Sequence, residues 1–522
     1  MVHAETGEGT QRMESPVEAR PQPRLKCVNR QQLLLRQIDL EQLVAEDHPV
    51  RAIWELVGRM NLERYYQSIG AVEGVAGREP FDPQLLISVW IYAYSQKVSA
   101  AREVARRCDY DPAYQWLTGL ETINYHTLSD FRVQHQEALN QLFTQVLGVL
   151  SQAGWITLER VMHDGTKVKA NAADNSFRRQ ATLEKHLERA RQRVAEMGDP
   201  QAEELPLRVA QARQRACREK QQRVEWALQQ LSQIQAAKSG RSEKAEARAS
   251  LTDPDARIMW QAKNGCAPSY NLQLSTDAQA SLIVGVGVSQ TANDETELLP
   301  AVERIEARLE KVPQQLVVDE GFITQPSVVA LDQQQIDLIG PVPDSSARTQ
   351  AGLQQRGVSP EFFPSAFVYE AASNTCRCPA GKTLTYEGRE KKGPTTRYRY
   401  RARPADCQAC PFHSQCCPHS RKGRSIVRSQ EAPAVTAFKA KMQTAAARQI
   451  YKQRAGIAEF PNAWIKEKIG LRQFRLRGLP KVTLEALWAC LTYNIQQWIR
   501  LVWRPQRPMA SAWRVPLQPT GA

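Results

Sequence analysis

RVMHDGTKVKANA, residues 160–172, is where the period of the sequence changes. Before it, apolar residues recur at helical spacing; here they alternate, which marks a strand, with a turn expected at Asp164-Gly165. SYNLQLSTD (269–277) and SLIVGVGVSQ (281–290) follow as a hairpin around DAQA. ETELLPAVERIEARL (295–309) reads as a helix, QQLVVDEGF (314–322) as a short buried strand, QPSVVALDQQQ as a helix and IDLIGPVP (336–343) as another buried strand. The order is β-β-β-α-β-α-β. Asp164 and Asp319 each close an apolar strand, where a carboxylate is costly to desolvate unless a partner or a cation meets it.

Upstream, residues 31–152 read as all helix, with Pro83 opening FDPQLLISVWIYAYSQ, Ser99 capping AAREVARRC and Thr127 capping the helix after it. Lys97, Arg102, Arg106, Arg107 and Arg132 among these short helices fit a helix-turn-helix or a plain bundle with basic edges. Residues 1–30 read as a disordered leader without an export segment, and 501–522 as a disordered tail. Two segments interrupt the strand region. Residues 178–250 space Leu183, Leu187, Ala190, Val194 and Met197 as in a helical hairpin, resumed by Val224, Leu228 and Leu231. Residues 344–435 are rich in Pro, Gly and Arg and hold six of the 11 cysteines.

The 522 residues carry 69 Lys and Arg against 55 Asp and Glu, a net charge of +14. From Thr436 to the end, 15 basic residues face three acids, so most of the excess lies there. A basic region of this density meets a polyanion, most often nucleic acid. No apolar run reaches the roughly 20 residues of a membrane helix. An odd cysteine count, thin for the length, argues against a disulfide scaffold, so a cytoplasmic protein is expected.

Only three acids are available in the basic region: Glu459, Glu467 and Glu485. Pro461 belongs in a first helical turn, which places Glu459 at or just before a helix N-terminus, with Lys466 two turns along the same face. Glu459 could be a salt-bridged structural residue or a metal ligand. Glu467 and Glu485 are the fallbacks, while Asp277 and Asp294 read as turn or cap residues, with an active-site role as the alternative. Cys407-Gln-Ala-Cys410, with Cys378 upstream and Cys416 downstream, has the pattern of a structural zinc site. Cys376, Cys417, His413 and His419 could substitute, and redox pairing is the alternative. The segment is too poor in apolar residues to fold unaided, so metal would supply the folding energy.

The chain resembles bacterial insertion-sequence DDE-type transposases with an InsH-like N-terminal domain. The resemblance runs from about Gln32 to Arg500. It rests on LVAEDHPVRAI, FDPQLLISVWIYAYSQKVSAAREVARRC, HDGTKVKANA, YNLQLSTD, VVDEGF, YKQRAGIAEF with WIKEK, and FRLRGLPKVTLEALWACLTYNIQQW, in that order. It implies an α+β multidomain protein: a helical N-terminal DNA-binding domain (31–152), then a ribonuclease-H-like α/β catalytic domain (153–500). The helical hairpin (178–250) and a zinc ribbon (344–435) would interrupt the second.

It further implies Asp164, Asp319 and Glu459 as catalytic ligands of two Mg²⁺ (or Mn²⁺) ions. Tyr451, Arg454 and Lys466 would position DNA, and Arg472, Arg475, Arg477 and Lys481 would extend the grip. Tyr451 and Arg454 stand one residue further from Glu459 than the usual insertion-sequence signature has them, an excess that Gly456 could absorb in a kink. Zn²⁺ on Cys378, Cys407, Cys410 and Cys416 is expected as a structural cofactor. The implied activity is cutting at terminal inverted repeats and joining 3′ ends to target DNA, in a homo-dimer or larger synaptic complex, in a bacterial cytoplasm beside the nucleoid. A catalytically silent DNA-binding relic and a metal-dependent nuclease of the same fold are the alternatives.

Overall fold

The computed structural model describes residues 31, 37–71, 79–197, 206–238, 240–261, 265–342, 345–392 and 395–506. Leader residues 1–30 and most of the tail (507–522) lie outside them. The N-terminal part is helical: α1 (Pro49–Gly58), α2 (Pro83–Ser95), α3 (Ala101–Tyr110), α4 (Pro112–Thr118), α5 (Tyr125–Gln134) and α6 (Gln136–Gln152). Pro opens α1, α2 and α4, where its missing N–H and fixed φ cost nothing. Two capping expectations are corrected. The residue before α3 is Ala100 and gives no side-chain cap. Thr127 lies inside α5, which Asn124 caps through the N–H of His126.

The central sheet contains β1 (Arg160–Lys169), β2 (Arg257–Gln261), β3 (Gly265–Asp277), β4 (Leu282–Ser289), β5 (Gln315–Val317) and β6 (Asp337–Ile339). Its order is β4-β3-β1-β5-β6, with β2 pairing the first residues of β3. Strands β1, β3 and β4 are antiparallel, while β5 and β6 run parallel to β1. Each parallel strand follows a helix, α9 (Leu298–Leu309) and then α10 (Gln325–Gln333), as a parallel crossover requires. The expected order of elements is present, with shorter β5 and β6 and a longer β3.

No turn forms at Asp164-Gly165, because β1 runs straight through both. A Cβ at Gly165 would lie 2.7 Å from the side chains of Asp294 and Gln273. The glycine therefore serves a close side-chain approach rather than a change of direction.

Between β1 and β2 stands the helical hairpin, α7 (Gln180–Glu196) against α8 (Leu207–Ala236), around its own small cluster of Leu183, Ala227 and Leu231. The cysteine-rich segment is a five-stranded antiparallel sheet in the order β11-β10-β9-β8-β7. These strands are β7 (Val368–Glu370), β8 (Thr375–Arg377), β9 (Thr383–Lys392), β10 (Thr395–Ala402) and β11 (Ser425–Gln430). The segment is not short of apolar content: Phe362, Phe363, Phe367, Leu384, Tyr400 and Ile426 form a core of their own.

Then come α11 (Pro433–Met442), α12 (Ala445–Lys452), α13 (Arg454–Glu467) and α14 (Leu479–Trp498). Helix α14 is apolar nearly all round because it is buried between the N-terminal helices and the central sheet. Its Trp488 donates to the carbonyl of Arg132, and Asn494 exchanges two hydrogen bonds with the backbone of Ile283 in β4. One continuous hydrophobic cluster thus joins N-terminal helices, sheet and C-terminal helices. No described helix is long and apolar enough to cross a membrane.

Candidate active site

Strands β1 and β5 are parallel with Met162 opposite Val317. Two residues further on stand Asp164, midway along β1, and Asp319, which lies just past the end of β5 and caps the turn that follows. Side chains alternate along β1, so Asp164 and Thr166 point to one face while His163, Gly165 and Lys167 point to the other.

Helix α13 covers the Asp164 face. Arg454, its first residue, donates to Asp164 Oδ1 at 2.8 Å and stands 4.0 Å from Asp319 Oδ2. Asn462, two turns on, donates to Asp164 Oδ2 at 3.0 Å. Tyr451 of α12 donates to Asp319 Oδ1 at 3.1 Å, and Lys466 donates to Thr166 Oγ1. Burial pushes the Asp164 carboxyl above its ordinary pKa; Arg454 opposes this, while the charges of Asp319 and Asp294 add to it. Burial also lowers the Lys466 amine, against the pull of Asp164, and raises the Tyr451 phenol. Arg454 Nε and Asn462 Oδ1 are buried without a hydrogen-bond partner, so open polar atoms surround Asp164.

Helix α13 corrects two expectations. Glu459 does not begin a helix: α13 starts five residues earlier and carries Pro461 in its interior. An interior proline costs about 3 kcal/mol. Burial of Ala458, Pro461 and Ile465, with Arg454 and Asn462 on Asp164, opposes that cost. Nor does Gly456 kink the chain. The break falls at Gln453, between α12 with Tyr451 and α13 with Arg454.

Glu459 itself is exposed and makes no hydrogen bond or ion pair with a described residue. At 100° per residue it stands about 60° round α13 from Asn462 and about 20° from Lys466. The fallback acids are engaged elsewhere. Glu467 pairs with Arg472, and buried Glu485 accepts the backbone N–H groups of Arg475 and Leu476 at 2.9–3.1 Å.

Asp277 is a turn residue, accepting the N–H groups of Thr157, Leu158 and Gln279. Asp294 is more than a cap. Its Oδ1 accepts from Asn271 and Gln273 at 2.7 Å each, with the Lys167 ammonium 3.6 Å away. Asn462 is the site residue that the sequence reading missed; Asp294, which it did weigh, stands on the Gly165 face of β1, opposite to that of Asp164. The signal for Asn462 was present: Arg454, Ala458, Asn462 and Ile465 recur at helical spacing, with Asn462 the polar member of the buried stripe.

Beyond α13, Lys169 donates its N–H to the carbonyl of Arg472 and accepts the N–H of Phe474, which draws residues 472–474 along the far end of β1. Arg472, Arg475, Arg477 and Lys481 are exposed there, and Arg477 donates to the carbonyl of Asn171 at 3.0 Å.

In the five-stranded sheet, Cys378, Cys407, Cys410, Cys416 and Cys417, with His413, line one cavity of about 20 Å³. All of them are free thiols. Backbone N–H groups of Lys382 and Arg424 donate to the sulfurs of Cys378 and Cys407 at 3.2 and 3.3 Å. Cys376 belongs instead to the core of β8, and His419 is exposed. Among the described residues, no three His, Cys, Asp or Glu side chains are already gathered in a ligating arrangement, at the acids or at the thiols.

Residues 38–134 match the family model of a transposase domain (DUF772), and residues 377–499 match that of a transposase DDE domain. Two separate segments of the chain thus resemble transposase domains. The second match takes in the cysteines, Tyr451, Arg454, Glu459 and Lys466, while Asp164 and Asp319 precede it. No curated protein matches the chain. Among solved structures, a piggyBac transposase synaptic complex with hairpin DNA aligns over 89% of this chain and 83% of its own, at 10% identity and a TM-score of 0.25. That likeness is too distant to carry an argument.

Proposed function

We propose that the chain is a DNA transposase which cuts at the ends of its own element and joins the freed 3′ ends to target DNA, on a ribonuclease-H-like sheet. The observation that carries this is the pair Asp164 and Asp319, on β1 and just after its parallel neighbour β5, both facing one guanidinium. The donor set suits a hard divalent cation such as Mg²⁺ or Mn²⁺. Two carboxylates already face a positive charge, and Asn462, whose Nδ2 holds Asp164, keeps a buried Oδ1 without a partner. Asp164 and Asp319 would hold the metal, with Glu459 the third carboxylate on the Lys466 flank of α13. When bound, the metal supplies Lewis-acid stabilisation of the attacked phosphate.

The chain's own residues do the rest. Arg454 and Asn462 fix both oxygens of Asp164, and Tyr451 orients Asp319. Lys466 sets a cation beside the acids, where a phosphate would dock. Arg472, Arg475, Arg477 and Lys481 continue that positive track along the end of β1. Two element ends must be held together, so at least a dimer is required, with the α7–α8 hairpin as its contact.

The free thiols around one cavity, two of them accepting backbone N–H groups, support a structural zinc on Cys378, Cys407, Cys410 and Cys416. Metal analysis should find about one zinc per chain in the wild type. The Cys407→Ser variant should have lost it, along with thermal stability. A metal-free wild type of equal stability overturns that reading.

The decisive experiment is Mg²⁺-dependent processing of a labelled duplex that carries the gene's own flanking end, with a target plasmid present. Cleavage and joining are expected, both reduced by roughly a thousandfold or more in Asp319→Asn, equivalent to several kcal/mol of transition-state stabilisation. Cleavage without joining would make the chain a nuclease. Binding without cleavage would make it a DNA-binding relic.

A further inference from the structure

The most unusual strand in the molecule is β10, TTRYRYRA, at the centre of the cysteine-bearing region. Residues 383–430 hold 11 Lys and Arg against three acids, a net charge of +8 in 48 residues. The alternation of β10 divides its side chains cleanly. Tyr400 and Ala402 are buried in the core, with half-buried Tyr398 packed against it. Arg397, Arg399 and Arg401 take the other face. Arg401 is paired with Glu387 at 2.7 Å, whereas Arg397 and Arg399 are exposed and no described acid pairs with them.

Register places Gly388 of β9 and Val427 of β11 beside Arg399, and Ser429 of β11 beside Arg397, whose other neighbour is Glu390. With Arg389 and Glu387 they line an open groove of about 580 Å³, in which three arginines outnumber two acids. Alternate residues of a strand are about 7 Å apart, inside the roughly 10 Å screening length at 0.1 M salt. Arg397 and Arg399 therefore repel each other in the free protein, and a polyanion laid along the strand would relieve that repulsion.

We propose that this outer face of the sheet is a second DNA-contact surface, and that it grips the phosphate backbone of a duplex. The inference rests on the transposase reading and deepens it by adding a surface outside the acid site. Single strands are the poorer occupant, because they are held by exposed aromatic platforms. Here the tyrosines of β10 face the core, leaving guanidinium groups and serine hydroxyls, the usual phosphate donors, to the solvent. The face is also tied to the acid site. Thr395, which begins β10, is hydrogen-bonded to Gln325, the first residue of α10, and α10 follows directly on the Asp319 turn. A duplex lying on β10 would thus run toward Asp319.

The test is fluorescence anisotropy of a labelled duplex lacking any element end, titrated with the full-length protein without divalent metal across a series of salt concentrations. For Arg397→Gln/Arg399→Gln, the slope of log K against log salt should shrink by about 2, with affinity at low salt falling roughly ten- to a hundredfold. Val427→Glu, which sets an acid beside Arg399, should weaken binding in the same direction. Unchanged slopes in both variants overturn the proposal. Asp319→Asn separates the two readings, since it should bind with the wild-type slope whatever happens to cleavage. A wild type that binds no duplex overturns the transposase reading together with this one.

Discussion

The chain has two strongly basic regions, and they spend their charge differently. Around α13, Arg454 holds Asp164, Lys466 holds Thr166, Arg472 pairs with Glu467 and Arg477 donates to the backbone of Asn171. On β10, Arg401 is paired, but Arg397 and Arg399 form no ion pair with a described acid, although Glu390 stands opposite Arg397 in register. A count of lysines and arginines rates the C-terminal region higher. The contacts show that much of its charge organises the acid site, whereas the strand presents its charge to solvent. An engaged cation should cost stability or chemistry when removed, and an unengaged one should cost binding alone.

The strongest way to break this comparison is Arg454→Gln. Arg454 and Asp164 are both largely buried, with side chains 12% and 20% exposed. Taking away one member leaves a carboxylate desolvated without its cation. Removing a partner from a buried pair costs about 3–5 kcal/mol, and protonation of Asp164 would relieve some of that. We expect a loss of roughly 2–4 kcal/mol in urea unfolding, at an unchanged m-value. The salt dependence of DNA binding should change little. Wild-type stability with a smaller salt slope would put Arg454 in the same class as Arg397.

Most of the sheet was legible in the sequence because its signals are local. Alternation marks β1, β3 and β4, and short apolar runs mark β5 and β6. That Asp164 and Asp319 belong to one site was implied by the family resemblance rather than by a local signal. What sequence could not show was the second donor to Asp164. Asn462 reaches it from 298 positions away along the chain, and its place in the buried stripe of α13 marks the face but not the partner. Pro461 misled for a related reason. Its local rule was overruled by the packing of α13 on β1, a tertiary effect. In the cysteine-rich segment, Pro and Gly masked a real core because its phenylalanines are scattered between turns.

Glu485→Gln sharpens the comparison from the acidic side. The carboxylate is fully buried and accepts the N–H groups of Arg475 and Leu476, fixing the loop that presents Arg475 and Arg477. The amide keeps one acceptor oxygen and loses the other, at a cost of about 1–3 kcal/mol. Burial pushes the Glu485 carboxyl above its ordinary 4.5, against Arg132 and the backbone donors. Above pH 4.5 the unfolded chain ionises first, while the folded chain keeps its proton up to the raised value. Wild-type stability should therefore fall relative to Glu485→Gln as pH rises through that window, then level off. Urea titrations of both proteins across that range would show it, and a gap that widens with rising pH would contradict it.

The smallest effect is expected where both regions should behave alike. Arg475 and Lys481 are exposed, and neither side chain is hydrogen-bonded or ion-paired to a described residue. They are the members of the C-terminal region that resemble Arg397 and Arg399. Arg475→Gln and Lys481→Gln should each leave stability within about 0.5 kcal/mol of wild type, as surface changes do. Each should remove about one unit from the salt slope of duplex binding if it contacts a phosphate. Combined with the Arg397→Gln/Arg399→Gln pair, the reductions should add, because sites without shared partners act independently. Additive slopes would mean that one duplex, or two, lies on both surfaces at once. A combined loss no larger than that of the β10 pair would mean that the strand carries the backbone contacts and that even the exposed C-terminal cations belong to the acid site.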